Sequence, residues 1–255
     1  MKRLPFLLTE LVRRDLTARY AGSAGGLLWG LLNPLILCAL YGFVFAVILR
    51  IQPPEGFPGG YVDFLLGGLL PWIGFNDAVV RGASAVTDQS HLVRKLPFPP
   101  EILVASSVVA ALVLQAVSIA VLGSYLLLFR GHVPHLGLLS AAFLLEVLLL
   151  AGPVLALAAL NVLFRDLAQI LGPILMIAFY VTPILYPASL VPASMAPVFA
   201  ANPLADLVAL FRAALFGLPP PPFAKLLAWM AGALVLACAG LAFFRRCRKT
   251  FADVL

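Results

Sequence analysis

Six long apolar runs, separated by short polar or charged segments, dominate the chain. They cover residues 26–49, about 61–80, 101–129, 137–163, 167–186 and 223–244. Each reaches the roughly 20 residues that about 30 Å of hydrocarbon requires of a helix, and each predicts a membrane span. Gly67-Gly68, Pro71, Asn76 and Asp77 interrupt the second run. That predicts an irregular span buried among the others, because lipid cannot satisfy broken backbone. Ahead of the runs, Leu4, Leu7, Leu8, Leu11, Val12 and Leu16 recur at helical spacing, with Lys2, Arg3, Glu10, Arg13 and Arg14 between them. Residues 1–20 therefore read as an amphipathic helix in the headgroup plane. A helix packed on a soluble partner would carry the same pattern.

Residues 187–217 do not fit the alternation of spans and loops. Pro187, Pro192, Pro197 and Pro203 divide them into pieces too short to cross a bilayer. Asn202-Pro203 reads as an N-cap and first helical residue, and Gly217 as a stop. Between them Leu204, Leu207, Val208, Phe211 and Leu215 form one apolar stripe. The expectation is two short re-entrant helices between the fifth and sixth spans, followed by the Pro219–Pro222 turn.

Composition turns these runs into a membrane assignment. The 255 residues are 63% hydrophobic and 11% charged, with a mean hydropathy of +1.06. Soluble domains are about half apolar and roughly a quarter charged, so a water-soluble enzyme is excluded. The chain reads as a single all-α transmembrane domain over 1–255, with 245–255 as a tail. Its net charge of +6 suggests no nucleic acid, because the charges cluster between apolar blocks, as topology-setting charges do. With six spans, both termini share a side with the 81–101 loop and the 164–166 turn. That side holds thirteen of the seventeen basic residues; Arg50, Arg130, Arg212 and Lys225 remain opposite. The bias puts both termini in the cytoplasm. The apolar run after the basic start is too long for a signal peptide, so the first span is expected to stay.

The chain holds no GxxxxGK[ST], HExxH or GxSxG, and its three cysteines show no metal-ligand spacing. His132 and His135 flank a Val-Pro turn that reads as an exposed loop. Glu146 falls in the middle of the fourth span, where a carboxylate is costly unless paired or wetted. It is either a polar point on a conduction path or a hydrogen-bonded acid between helices, with Gln115 and Ser118 as possible partners. The 81–101 loop mixes Val86, Leu92, Val93 and Leu96 with charges before a proline run. A short amphipathic helix there, stiffly joined to the third span, can transmit a push from a cytosolic partner.

Several segments resemble the permease subunits of ABC-2 type exporters of polysaccharides, the class that includes O-antigen, capsule and teichoic-acid exporters. Arg13-Arg14-Asp15-Leu16-Thr17-Ala18-Arg19-Tyr20 and the Gly-Leu-Leu-Trp…Asn-Pro opening of the first span carry the resemblance. So do Arg94-Lys95-Leu96-Pro97-Phe98-Pro99 and Asn161-Val162-Leu163-Phe164-Arg165-Asp166. Thr182-Pro183-Ile184-Leu185-Tyr186 and Asn202-Pro203-Leu204 complete it, in the family's order.

The resemblance implies a homodimer with two cytoplasmic ATPase subunits that bind ATP and magnesium; this chain needs no cofactor, metal or catalytic residue. It implies a bacterial inner-membrane location and a glycan polymer as substrate, carried on a polyprenyl lipid. Gln89, Ser90, His91, Leu92, Val93, Arg94, Lys95, Arg165 and Asp166 become the expected coupling surface, with Pro97, Pro99 and Pro100 as the hinge. A long glycan slides best over aromatic faces. Tyr41 with Phe45, Trp72 with Phe75, and Phe179 with Tyr186 are candidate channel pairs on shared helix faces, together with Glu146. A sister permease exporting a drug or simple lipid is the close alternative. An ATP-independent membrane enzyme or scramblase is the distant one.

Overall fold

The computed structural model describes residues 3–19, 29–95, 99–164 and 166–251, and every ordered element in them is helical. In chain order they are α1 (Arg3–Ala18), α2 (Trp29–Gly42), α3 (Tyr61–Asp88), α4 (Ser90–Lys95) and α5 (Glu101–Arg130). There follow α6 (Leu136–Leu163), α7 (Leu167–Val181), α8 (Ala196–Ala200), α9 (Pro203–Phe216) and α10 (Phe223–Cys247). A π-helical turn over Phe43–Ile48 continues α2, and a 3-10 turn over Arg248–Thr250 continues α10. Among the described residues, three helices are long and apolar enough to cross a membrane unaided: α5, α6 and α10 with its extension. Residues 26–28, Pro97 and Arg165, which figured in the sequence reading, lie outside the described residues.

α3 is the central element, packing against α5, α6, α9, α2 and α7. Most of its length is buried, as expected of the second run, but it is not irregular. It continues as one helix through Gly67-Gly68, Pro71, Asn76 and Asp77 and on to Asp88, so the first third of the presumed 81–101 loop is helical. The glycines are notches that admit neighbours. A Cβ on Gly67 would stand 2.7 Å from the Phe216 ring, and one on Gly68 would stand 2.7 Å from Arg212 Nη2. Tertiary packing overrides the weak helix propensity of glycine here. The start of α3 is held by Asp63, whose carboxylate accepts from the Gly60 amide at 3.0 Å and pairs with Arg130 at 2.9 Å.

α6 and α10 form the most extensive helix pair. Gly152 and Gly240 let their backbones touch: a Cβ on Gly240 would fall 2.2 Å from the Gly152 carbonyl oxygen. Close approach over small residues is how helices gain packing energy where lipid offers no hydrophobic drive. α1 packs on α5, with Leu11 buried.

Three further expectations change. α7 stops at Val181, where Thr182 caps it and Pro183 cannot continue it, so the fifth run ends as an extended turn over 182–186. α9 has the predicted caps: Asn202 accepts from Leu204 N, and Gly217 is left-handed at φ 68°. It is buried on nearly every face instead of along one stripe, because α3 and α6 enclose it. It meets the segment Ala193–Ala200 at an 82° bend. Finally, the residues after 245 are no free tail up to Phe251, which is buried edge-on against Phe244 with ring centroids 5.3 Å apart.

Candidate functional site

The aromatic candidates converge from three helices. Trp72 and Phe75 lie 6.1 Å apart on α3, and Tyr41 lies 6.4 Å from Phe45, which the π turn carries. Phe179 of α7 bridges them, 5.7 Å from Tyr41 and 5.4 Å from Trp72. Tyr41, Trp72 and Phe179 line a cleft of about 290 Å³ together with Asn33 and Asn76. Rings beside amides suit a polyhydroxylated ligand: C–H-rich sugar faces stack on the rings while amides bond hydroxyls. Phe179 and Tyr186 do not share a helix face, because α7 ends between them. Tyr186 packs near Phe199 and donates its hydroxyl to the Tyr180 carbonyl.

Glu146 is not brought to this cleft. Fully buried on α6, it accepts from Gln115 Nε2 of α5 at 2.7 Å, while Ser118 bonds the Leu114 carbonyl instead. Gly74 of α3 is what admits Gln115, since a Cβ there would overlap the amide. Three helices therefore meet at one polar contact. Gln115 also lines a separate cleft of about 390 Å³, which meets the aromatic one at Asn33 and Asn76. Arg19 also lines it. Its side chain is 3% exposed and pairs with Asp15 at 2.9 Å and with Asp77, which also holds Arg81 at 2.8 Å.

Sequence reasoning missed Arg212 altogether, counting it among the solvent charges opposite the termini. Its side chain is buried, and it collects the carbonyls left open where α7 breaks. Nη1 donates to Pro183 O at 2.8 Å, Nη2 to Ile184 O at 2.9 Å and Nε to Phe64 O at 3.2 Å. The guanidinium lies 3.7 Å from the Phe64 ring centre. Neighbours cover the rest: Asn202 Nδ2 donates to Val181 O at 3.3 Å, and the Tyr61 hydroxyl donates to Leu185 O at 2.6 Å. In lipid every such carbonyl must find a protein donor, and here each does. An arginine in the last two turns of a 14-residue helix whose one other charge is Asp206 was the available signal.

At the end that carries the termini, α4 holds Ser90, His91, Leu92, Val93, Arg94 and Lys95. Gln89 precedes it and accepts from Arg14 of α1. Leu92 and Val93 lean on the core, and His91 is exposed. Pro100 caps α5, whose first turn bonds back to the Pro99 and Pro100 carbonyls. Asp166 is exposed at the start of α7. Beside α4, Ser84, Thr87, Asp88, Ser90 and Asn161 line a polar cavity of about 320 Å³, and Asn161 donates to Thr87 Oγ1 at 3.3 Å. At the opposite end His132 is not simply exposed: its ring is packed against Gly217, while the His135 amide donates to Ala214 O at 2.7 Å.

The sequence profile of ABC-2 type transporters matches residues 7–216. The O-antigen export system permease protein RfbA of Myxococcus xanthus is 36% identical over 254 residues, covering 97% of this chain and 94% of its own. A protein of the same name from Klebsiella pneumoniae is 28% identical over 253 residues, covering 98% and 95%. The polysialic acid transport protein KpsM of Escherichia coli is 25% identical over 215 residues, covering 80% and 79%.

Proposed function

The chain belongs to the ABC-2 type transporter family, and from that premise we infer that it is the membrane permease of an ATP-driven polysaccharide exporter. Near full-length likeness to O-antigen export permeases carries this reading. The chain is a transport subunit and no enzyme; a separate ATPase subunit hydrolyses ATP and docks on it at the inner membrane.

The finer reading is ours. Two copies pair over a pair of ATPase subunits, with both termini of each permease in the cytoplasm, on the side richer in basic residues. Six helices cross: α2, α3, α5, α6, α7 and α10. α7 spans only about 22 Å at its length, short of about 30 Å of hydrocarbon. The turn over 182–186 and the bent pair α8–α9 fill the rest as a re-entrant segment with its carbonyls covered. α1 lies at the interface.

ATP-driven closure of the motor pushes on α4, and Arg165-Asp166 belongs to the same docking surface. The proline run 97–100 passes the motion to α5, and Asp88 leads directly into α3. The aromatic cleft sits on α2, α3 and α7, so a push along α3 changes its width. Aromatic and amide groups there let a lipid-linked glycan slide without one fixed register. Reconstitution with the ATPase and a polyprenyl-linked glycan tests this reading. The glycan should alter ATP turnover, and Trp72→Ala with Phe75→Ala and Phe179→Ala should slow export more than it lowers assembly. Unchanged flux would remove the cleft from the path.

A further inference from the structure

A further groove opens between α1, α5 and α10, where α1 begins and α10 ends. Its volume is about 750 Å³. None of its three helices lines the aromatic cleft, which lies between α2, α3 and α7. The floor is apolar, built from Leu8, Ile102, Ala105 and Leu241. The rim is cationic, with Arg245, Arg248 and Lys249.

Two features make the rim a built arrangement. The 3-10 turn Arg248–Thr250 follows α10 directly, and the buried Phe251–Phe244 contact ties it down. Arg248 and Lys249 therefore stand on an anchored turn at fixed height above the floor. Glu101 at the start of α5 orders the arginines, 3.2 Å from Arg248 and 3.7 Å from Arg245. It is the one carboxylate that lines the groove among the described residues, so three cations face a single acid.

From this charge excess over an apolar floor we propose that the groove holds an anionic phospholipid of the surrounding bilayer. The phosphodiester sits among Arg245, Arg248 and Lys249, and one acyl chain lies along Ile102, Ala105 and Leu241. Cations near a membrane surface each favour anionic lipid by about fivefold, and basic pockets between helices concentrate that preference. Glycan-lipid substrate is not the occupant, since the groove is separated from the aromatic cleft by the body of α3 and α5. The bound lipid fastens α1 to α10 and steadies the face from which the motor acts. The cytoplasmic placement of that face rests on the orientation proposed above; the groove itself does not.

The test is retention of lipid by the delipidated permease–ATPase complex, read by native mass spectrometry with dioleoyl-phosphatidylglycerol against dioleoyl-phosphatidylcholine. The wild-type complex should prefer phosphatidylglycerol by fivefold or more. Arg248→Gln with Lys249→Gln should reduce that preference at least about fivefold, whereas Arg246→Gln, outside the groove, should leave it. Ala105→Phe should reduce retention with every charge intact. Glu101→Gln should raise it, because removing the competing carboxylate frees both arginines. Equal retention of the two lipids would overturn the proposal. So would equal loss in Arg246→Gln, or an Ala105→Phe complex that binds as wild type, since either would mean diffuse surface charge. Labelling Cys247 with an impermeant maleimide in right-side-out and inverted vesicles tests the orientation separately, so the two can fail independently.

Discussion

Removing the guanidinium of Arg212 should loosen the turn after α7 and its seat on α9 more than any exposed charge change. Arg212→Ala strips the donors from Pro183 O and Ile184 O, both in the broken backbone after α7. Each buried carbonyl left without a donor costs about 1–3 kcal/mol. Loss of the contact with the Phe64 ring adds about 1–2 kcal/mol. Relief from burying a cation offsets part of this, so about 3–5 kcal/mol is expected, the usual cost of breaking a buried charged contact. For a chain of this size that is a drop of about 10 °C in apparent melting temperature. Surviving monodisperse protein after heating in detergent, read by fluorescence-detected size exclusion, measures it. Arg212→Lys should fall between, because an ammonium cannot reproduce the fork. Gly68→Ala presses on the same guanidinium, where the added Cβ would meet Nη2 at 2.7 Å. Its cost should therefore shrink in an Arg212→Ala background, a non-additivity that marks direct coupling. A shift of a degree or less in Arg212→Ala, or strict additivity with Gly68→Ala, would refute the clasp.

Charge reversal at Arg94 and Lys95 should uncouple ATP turnover from export while membrane insertion and yield stay normal; export at wild-type rate would take α4 out of the coupling path. Gly240→Ala should destabilise the α6–α10 pair by about 1–3 kcal/mol, seen as a lower melting temperature, because backbone cannot yield as a side chain can. Glu146→Gln should keep both stability and export, since the replacement still accepts from Gln115. An inactive yet stable Glu146→Gln protein would support the conduction role instead.

The element pattern was legible where a helix boundary has a local cause. Asn202-Pro203 and Gly217 bracket α9 through capping chemistry that needs no neighbour, and the long apolar runs of α5, α6 and α10 follow from the solvent they occupy. The misread segments share a different cause. Gly67-Gly68 and Pro71 look like breaks along the chain, yet they sit in one helix because α9 and Arg212 fill the space the glycines leave. Tyr186 looked like a continuation of α7, but Pro183 and the donors of Asn202, Tyr61 and Arg212 hold it in an extended turn.

The candidate cleft divides the same way. That Tyr41 with Phe45 and Trp72 with Phe75 share a helix face was readable from spacing, while a glycan as their ligand came only as an implication of the family resemblance. That Phe179 touches both Tyr41 and Trp72, and that Glu146 turns away to Gln115, depends on how α3 is surrounded.

By itself the sequence determined an all-helical chain for lipid, its family, the caps of its short helices and the side expected to hold its charges. Hydropathy, capping and charge count act over a few residues, so they can be read in one dimension. Only the tertiary structure decided which polar groups meet: Arg212 with the broken end of α7, Glu146 with Gln115, and Arg248 with Glu101. Those partners are 28 to 147 positions apart along the chain. A buried donor or acceptor takes whichever partner packing delivers, and packing between helices in lipid is set by small residues and close backbones that no local periodicity records.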